Sequence, residues 1–176
     1  MVTSAEAFVD ESVRGQRYLL ACVVVEEERL GDVRLAMRRL AVRGRVHFSH
    51  ESMERRARLL EEICSMPISV VVVHARIGHG VRQSQAREWC LSAMVRWLQG
   101  QGVSRVVLES RDDDRDDVRH LMRVRQPTPP LVFRHLRAID EPILWAADAA
   151  AWSFGAGGVW REAVMGLDPE VIEAWP

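Results

Sequence analysis

Apolar residues form short continuous runs, and stretches with helical spacing lie between these runs. Five runs have the length of a β-strand, at residues 6–11, 18–25, 68–75, 105–109 and 131–136. The first two flank the turn Val13-Arg14-Gly15-Gln16, which predicts a hairpin. The uninterrupted run at 68–75 is typical of a central strand. We expect the run at 131–136, after a proline-rich link, to be the final strand and to lie at a sheet edge.

Apolar residues recur at intervals of three and four over residues 28–42, 83–99 and 142–154, and this spacing predicts three helices. Another helix is predicted with Ser49 as its N-cap and an apolar face made of Met53, Ala57, Leu60 and Cys64. A shorter helix begins in the acidic run 112–117, and its predicted apolar face is Val118, Leu121 and Met122.

The order of elements predicts a single-domain α/β fold, with a mixed sheet flanked by helices and a helical insertion after the first hairpin. The chain has 176 residues, which is the usual size of one domain. We expect residues 1–176 to form that domain, with a core over about 5–155 and a tail, 156–176, that packs as a short helix.

Composition excludes some classes of protein. Hydrophobic residues make up 48% and charged residues 28%, as in a globular protein. We expect neither a signal peptide nor a membrane span, because no run reaches the roughly 18 apolar residues that a span needs. Cys22, Cys64 and Cys90 are far apart in apolar surroundings, so we expect buried thiols, no zinc site and a cytoplasmic protein.

The net charge is −1, so no global basic field indicates nucleic acid. All 24 basic residues are nevertheless arginine. A GC-rich genome would explain this, because it favours arginine codons. Arginine also binds phosphate in a bidentate way that lysine cannot, so the composition is compatible with a phosphodiester partner.

Carboxylates occupy three apolar elements. Asp10 and Glu11 end the first strand, Glu109 closes the strand 105–109, and Asp148 lies inside the helix 142–154. Neighbours of Asp148 three and four residues away are apolar, so its side chain should point at the sheet. A buried carboxylate needs a partner, which would be a cation, an arginine or a backbone N–H.

Asp10 and Glu11 point to opposite faces of their strand, so only one of them should line a given site. The other would pair with an arginine or belong to the turn. Asp113, in the acidic run, is either part of a solvated helix start or an outer metal ligand. His47 lies just before a predicted helix. It either caps that helix or lies at the surface, or it positions a water, binds a phosphate oxygen or ligates a metal.

Three converging carboxylates would repel one another, and Mg²⁺ or Mn²⁺ would relieve that repulsion because hard cations prefer carboxylate oxygen. Two such ions can activate a water and stabilise the leaving oxygen in phosphodiester cleavage. The sequence contains neither a GxSxG nucleophile motif nor a GxxxxGK[ST] phosphate loop.

In their order and spacing, several short motifs resemble the domain of unknown function 3800 family. They are Phe8-Val9-Asp10-Glu11-Ser12, the strand Tyr18 to Val25, His47-Phe48, the strand that ends at Glu109, and Leu144-Trp145-Ala146-Ala147-Asp148. The similarity covers roughly residues 5 to 155. It implies a ribonuclease H-like fold and action on nucleic acid through metal-bound acids.

By this resemblance Asp10, Glu109 and Asp148 match the metal-binding acids, and His47 matches a recurrent histidine. Two residues depart from the family pattern. Val13 stands where glycine is common, and Glu109 stands where aspartate is more usual.

Two functions remain open. The first is a Mg²⁺- or Mn²⁺-dependent nuclease, or a related phosphodiester-cleaving enzyme, with Asp10, Glu109 and Asp148 as catalytic metal ligands and Glu11, His47 and Asp113 in support. The second is a non-catalytic module on the same fold that binds nucleic acid or protein. Both a monomer and a homodimer are compatible with the sequence.

Overall fold

The computed structural model describes residues 4–112 and 114–176. Its strands are β1 (Ala5–Arg14), β2 (Arg17–Glu26), β3 (Ser69–Arg76), β4 (Arg105–Glu109), β5 (Val132–Leu136) and β6 (Glu170–Glu173). They form a sheet in the order β5-β4-β1-β2-β3-β6. The β1–β2 and β2–β3 pairs are antiparallel and the other pairs are parallel, so the predicted mixed sheet is confirmed.

Helices cover both faces of the sheet. They are α1 (Leu30–Leu40), α2 (Met53–Cys64), α3 (Gln83–Gly100), α4 (Asp114–Val124), α5 (Ile143–Ala156) and α6 (Gly158–Met165). The predicted insertion between β2 and β3 consists of α1 and α2. One apolar core lies between the sheet and α1, α2 and α5, and a second lies under α3 and α4. No helix in the described ranges is long and apolar enough to cross a membrane.

The second helix of the insertion begins later than the sequence indicates. Ser52, not Ser49, is the N-cap of α2, and its side chain accepts a hydrogen bond from the Arg55 N–H at 3.3 Å. Ser49 lies in a 3₁₀ turn, Phe48–His50, so the prediction for Ser49 is wrong. The predicted apolar face is also rotated, because Met53 is 73% exposed while the buried face carries Leu59, Leu60 and Ile63.

A sixth strand, β6, follows the predicted final strand. It pairs in parallel with β3 and covers the edge of the sheet opposite β5. Its four residues, Glu170-Val171-Ile172-Glu173, are too few for a strand pattern to stand out. The tail thus contributes the expected short helix, α6, and an additional strand.

The apolar face predicted for α4 is only partly correct. Leu121 is buried, but Val118 and Met122 are 40% and 51% exposed. The buried face carries Asp117 and His120 instead. Asp117 is buried on that face because it pairs with Arg87 and His135, which the apolar pattern does not predict.

The C-terminal end of α5 packs tightly against the first hairpin at Gly155. A Cβ atom added there would lie 2.9 Å from both the Arg14 Cγ and the Leu19 Cδ1 atoms. Gly155 therefore sets how closely α5 approaches β1 and β2.

We predict that Gly155→Ala lowers the free energy of unfolding by about 1–3 kcal/mol, because the added methyl overpacks this contact. Gly31→Ala is the matched control, since nothing lies within 4 Å of the added atom in α1. It should be neutral or stabilise by up to about 1 kcal/mol through helix propensity. Urea unfolding measures both variants, and equal stability of the two would contradict the prediction.

Candidate functional site

A cavity of about 260 Å³ opens beside the carboxyl end of β4. Asp10 of β1, Glu109 of β4 and Asp148 of α5 all line it. The three acids that the sequence singles out therefore meet in one place. The other lining residues are Glu11, Arg45, Val46, His47, Arg111, Ala138, Leu144 and Trp145.

Asp10 lies on the α5 face of the central strand β1. Burial raises the pKa of Asp10 well above its usual value, and the negative charges of Glu109 and Asp148 raise it further. A side-chain hydrogen bond with Glu109 acts in the same direction, and Arg45 opposes it. Burial and the two neighbouring carboxylates therefore make the charged form of Asp10 unfavourable.

Asp148 is the one charged residue of an otherwise apolar helix face. Its Oδ2 atom accepts a hydrogen bond from the Phe48 N–H at 2.9 Å and lies 4.0 Å from the His47 Nδ1 atom. Burial raises the pKa of Asp148 and Glu109 adds to this, while the Phe48 N–H and His47 oppose it. A backbone N–H therefore satisfies one carboxylate oxygen.

The turn 47–50 is held in place by Arg56 of α2. The Arg56 guanidinium donates to the Phe48 carbonyl at 2.9 Å and to the Ser49 carbonyl at 2.7 Å, and it lies 4.4 Å from the centre of the Trp152 ring. His47 in turn stacks on His50, with ring centres 3.9 Å apart. The insertion thus places His47 and the Phe48 N–H beside Asp148.

Two arginines lie beside the acids, and neither belongs to the site residues that the sequence predicts. The Arg45 guanidinium is 3.4 Å from the Glu109 carboxylate, and Arg111 lines the same cavity. Each is two residues from a residue that the sequence does single out, His47 in one case and Glu109 in the other. That proximity along the chain is the signal that could have found them.

Glu11 points to the opposite face of β1, as its strand position predicts. It forms ion pairs with Arg87 of α3 and with Arg111, and it accepts a hydrogen bond from the Tyr18 hydroxyl. Glu11 also reaches the rim of the cavity. Its contacts anchor the end of β1 to the face of the sheet that α3 covers.

Arg87 also joins α3 to α4. Arg87 pairs with Asp117 at 2.6 Å, and the His135 Nε2 atom lies 3.2 Å from Asp117. Burial pushes the pKa of Asp117 upward, but hydrogen bonds from His135 and Arg87 outweigh burial and hold this pKa below its usual value. Asp113, the outer ligand suggested by the sequence, lies outside the described residues.

The donor set is suited to a hard divalent cation, because it consists of three carboxylates without a sulfur ligand. The raised pKa of Asp10, and the charges of Glu109 and Asp148 that help to raise it, indicate negative charge that a cation would stabilise. Within residues 4–112 and 114–176, however, no three Asp, Glu, His or Cys side chains are already arranged to hold a metal ion. Side-chain rotation would have to bring the acids together on a cation.

Comparison with known proteins defines the class of fold. No protein-family model matches the chain, and no curated protein matches it. The ribonuclease H2 of Pyrococcus horikoshii OT3 is similar in structure, with a TM-score of 0.52 and 14% identity over 84% of this chain and 70% of that one. The chain therefore has a ribonuclease H-like fold, as expected, and at this identity the likeness extends to the fold alone. Its resemblance to the domain of unknown function 3800 family stays a prediction.

We predict that Asp10→Asn stabilises the metal-free protein increasingly as pH rises. With a raised pKa, folded Asp10 binds a proton more tightly than the unfolded chain does. Its contribution to stability is therefore present below the usual pKa of 3.8 and is lost as pH rises through the higher folded value. Thermal unfolding in EDTA between about pH 4 and pH 8 measures the difference in Tm between variant and wild type.

The matched control for this charge change is Asp32→Asn, which removes an exposed carboxylate from α1. A Tm difference for Asp10→Asn that stays constant across the pH range, or that follows the difference for Asp32→Asn, would contradict the prediction.

We also predict that Arg87→Met destabilises the fold by about 3 kcal/mol, because it leaves Glu11 and Asp117 with fewer cations in a poorly solvated site. The value is at the low end for a broken buried ion pair, since Arg111 and His135 remain. Arg96→Met, on an exposed position of the same helix, is the control. Chemical unfolding measures both variants, and a loss below about 1 kcal/mol for Arg87→Met would show that the network is not stabilising.

Proposed function

We propose that the protein is a nuclease, or a related phosphodiester-cleaving enzyme, that depends on Mg²⁺ or Mn²⁺. One observation carries the proposal: carboxylates from two strands and a helix line a single cavity on a ribonuclease H-like fold. Their mutual repulsion, which the raised pKa of Asp10 reflects, would be relieved by a hard cation.

Asp10, Glu109 and Asp148 are the proposed ligands. Bound there, the cation would supply Lewis-acid activation of water and of the scissile phosphate. Asp10 is the central ligand in this proposal, because it interacts with both other acids. Glu109 is one methylene longer than the aspartate usual in the family that the chain resembles, and its side chain, 26% exposed, lines the cavity and can turn towards it.

Arg45 and Arg111 are the proposed phosphate-binding residues. Both line the cavity, and a guanidinium can bind two phosphate oxygens at once. Arg45 contacts Glu109 at an exposed position, so a phosphate can replace that contact at little cost. His47, 4.0 Å from the Asp148 carboxylate, is suited to orient that carboxylate.

The second candidate function is a non-catalytic module on this fold that binds nucleic acid or protein. It is favoured by the absence, in the described part of the chain, of a preformed group of metal ligands. In that case Arg45 would neutralise Glu109 permanently. Either function fits the predicted cytoplasmic location. Cys22 and Cys90 are buried free thiols, whereas Cys64, also predicted to be buried, is only partly buried. Both a monomer and a homodimer are compatible with the proposed function.

We predict that the purified protein cleaves DNA, RNA or an RNA–DNA hybrid with Mn²⁺ or Mg²⁺, and that EDTA abolishes cleavage. Asp10→Asn should lower the rate by about 100-fold or more, because it weakens the electrostatic stabilisation of the transition state. Glu109→Gln and Asp148→Asn should act in the same direction, whereas Asp32→Asn should leave the rate unchanged.

Calorimetry with Mn²⁺ separates the two candidate functions. Metal binding that Asp10→Asn abolishes, together with cleavage, supports the nuclease. Nucleic-acid binding without cleavage or Mn²⁺ binding supports the non-catalytic module. Cleavage that survives EDTA or Asp10→Asn would overturn the proposed site.

A further inference from the structure

Three arginines lie side by side where the first hairpin ends. Arg14 of β1 is the register partner of Arg17 of β2, and Arg17 is the register partner of Arg76 of β3. Register partners point to the same face of a sheet, and like charges at such positions repel one another. We call these three residues the arginine row.

Carboxylates do little to neutralise the row. Within the described residues neither Arg14 nor Arg17 has an acidic group within 4.0 Å. Arg76 has one, Glu173, at 3.8 Å, but the Arg76 side chain is 83% exposed, so this pair contributes little. The row lines a cavity of about 410 Å³ with Gln16 and Gly155, and it therefore presents positive charge to solvent.

His74 lies close enough to the arginine row to be affected by its positive charge. It lies on β3 two residues before Arg76, and its Nδ1 atom is buried without a hydrogen-bond partner in the described structure. Burial lowers the pKa of His74, and the charges of Arg17, Arg161 and Arg76 lower it further against the opposing effect of Glu173. An anion in the cavity would offset this excess of positive charge.

The row shares a face of the sheet with the candidate site. Asp10 and Arg14 are both even-numbered residues of β1, so both point towards α5. The Arg14 guanidinium lies 4.8 Å from the centre of the Trp152 ring, which belongs to that helix. Four residues of strand separate them, which is about 13 Å.

Among the described residues, one edge of β1 carries no paired strand between Asp10 and Arg14. Pairing with β4 ends at Val9 and Leu108, so in the described structure no strand pairs with residues 10–14 on that side. About 13 Å corresponds to about four nucleotides at the rise of 3.4 Å per nucleotide of a duplex strand. A nucleic-acid strand at the acids can therefore reach Arg14, and Arg17 and Arg76 lie one and two strands further across the sheet, about 5 and 10 Å away.

We propose that Arg14, Arg17 and Arg76 form a phosphate-binding subsite for the backbone of the nucleic-acid strand whose reacting phosphate lies at Asp10, Glu109 and Asp148. The reacting position rests on the function proposed above. The subsite itself rests on the register of the three strands and on their unneutralised charge. It binds backbone phosphates without reading bases.

The test measures binding of fluorescein-labelled oligo(dT) and oligo(U) of two to twelve nucleotides, by anisotropy with Ca²⁺ in place of Mn²⁺, so that a hard cation lies between the acids and the phosphate. A gel at the end of each titration checks that the oligonucleotide is intact. The variant Arg17→Gln/Arg76→Gln leaves the Arg14–Trp152 contact intact. The control, Arg96→Gln/Arg119→Gln, removes the same charge from α3 and α4, which cover the opposite face of the sheet. Cleavage with Mn²⁺ is measured in parallel.

In the wild type and the control, affinity should rise once the strand exceeds about four nucleotides. In the subsite variant this rise should be absent, and the slope of log K against log salt concentration should be smaller by about 1.4, which is two single-strand phosphate contacts. Dinucleotides should bind all three proteins equally.

The outcomes separate the subsite from the proposed function. Length-dependent binding that is lost in the variant, without any cleavage by the wild type, supports the subsite and overturns the nuclease. Cleavage with identical binding by variant and control overturns the subsite and leaves the nuclease standing. Equal affinity for dinucleotides and longer strands indicates a free-phosphate site and overturns the strand proposal. No binding of either oligonucleotide overturns the subsite.

Discussion

Repulsion among three carboxylates in one cavity is the interaction on which the rest of this structure depends. Asp10, Glu109 and Asp148 come from different elements, and burial and mutual repulsion make it harder for Asp10 to ionise. The fold can hold them because each element is fixed by its own apolar contacts. β1 pairs with β2 and β4, and α5 is buried along most of its length, so the acids cannot simply move apart.

Neutralisation of this charge is divided between the two faces of the sheet. On the α5 face Arg45 and the Phe48 N–H reach Glu109 and Asp148, but both leave part of the carboxylate oxygen open to the cavity. On the α3 face Arg87 pairs fully with Glu11 and Asp117 in a poorly solvated network. The paired network is suited to hold the end of β1 in position. The partly paired acids are suited to bind something that the chain itself does not supply.

Local patterns predict the elements and their order well, and they predict contacts between elements poorly. The strand 105–109 agrees at both ends because a continuous apolar run meets polar residues on each side. Asp148 could be predicted to face the sheet from its helical neighbours alone. The cap at Ser52 and the short strand β6 could not, because backbone geometry and edge pairing decide them. Burial of Asp117 depends on an arginine 30 residues away, which no local window contains.

Alternation along β1 connects these observations. Phe8 lies in the core under α5, and positions 10 and 14 point the same way, so the residue that fixes the strand in the core also fixes the acid and the arginine on one face. A register shift of one residue would exchange the faces and bring Glu11 to α5 in place of Asp10. It would also remove Glu11 from Arg87 and take Phe8 out of the core under α5, so the register is held by apolar packing and by an ion pair together. Because one strand carries both charges in a single register, the negative cavity and the positive end of the hairpin keep a constant separation.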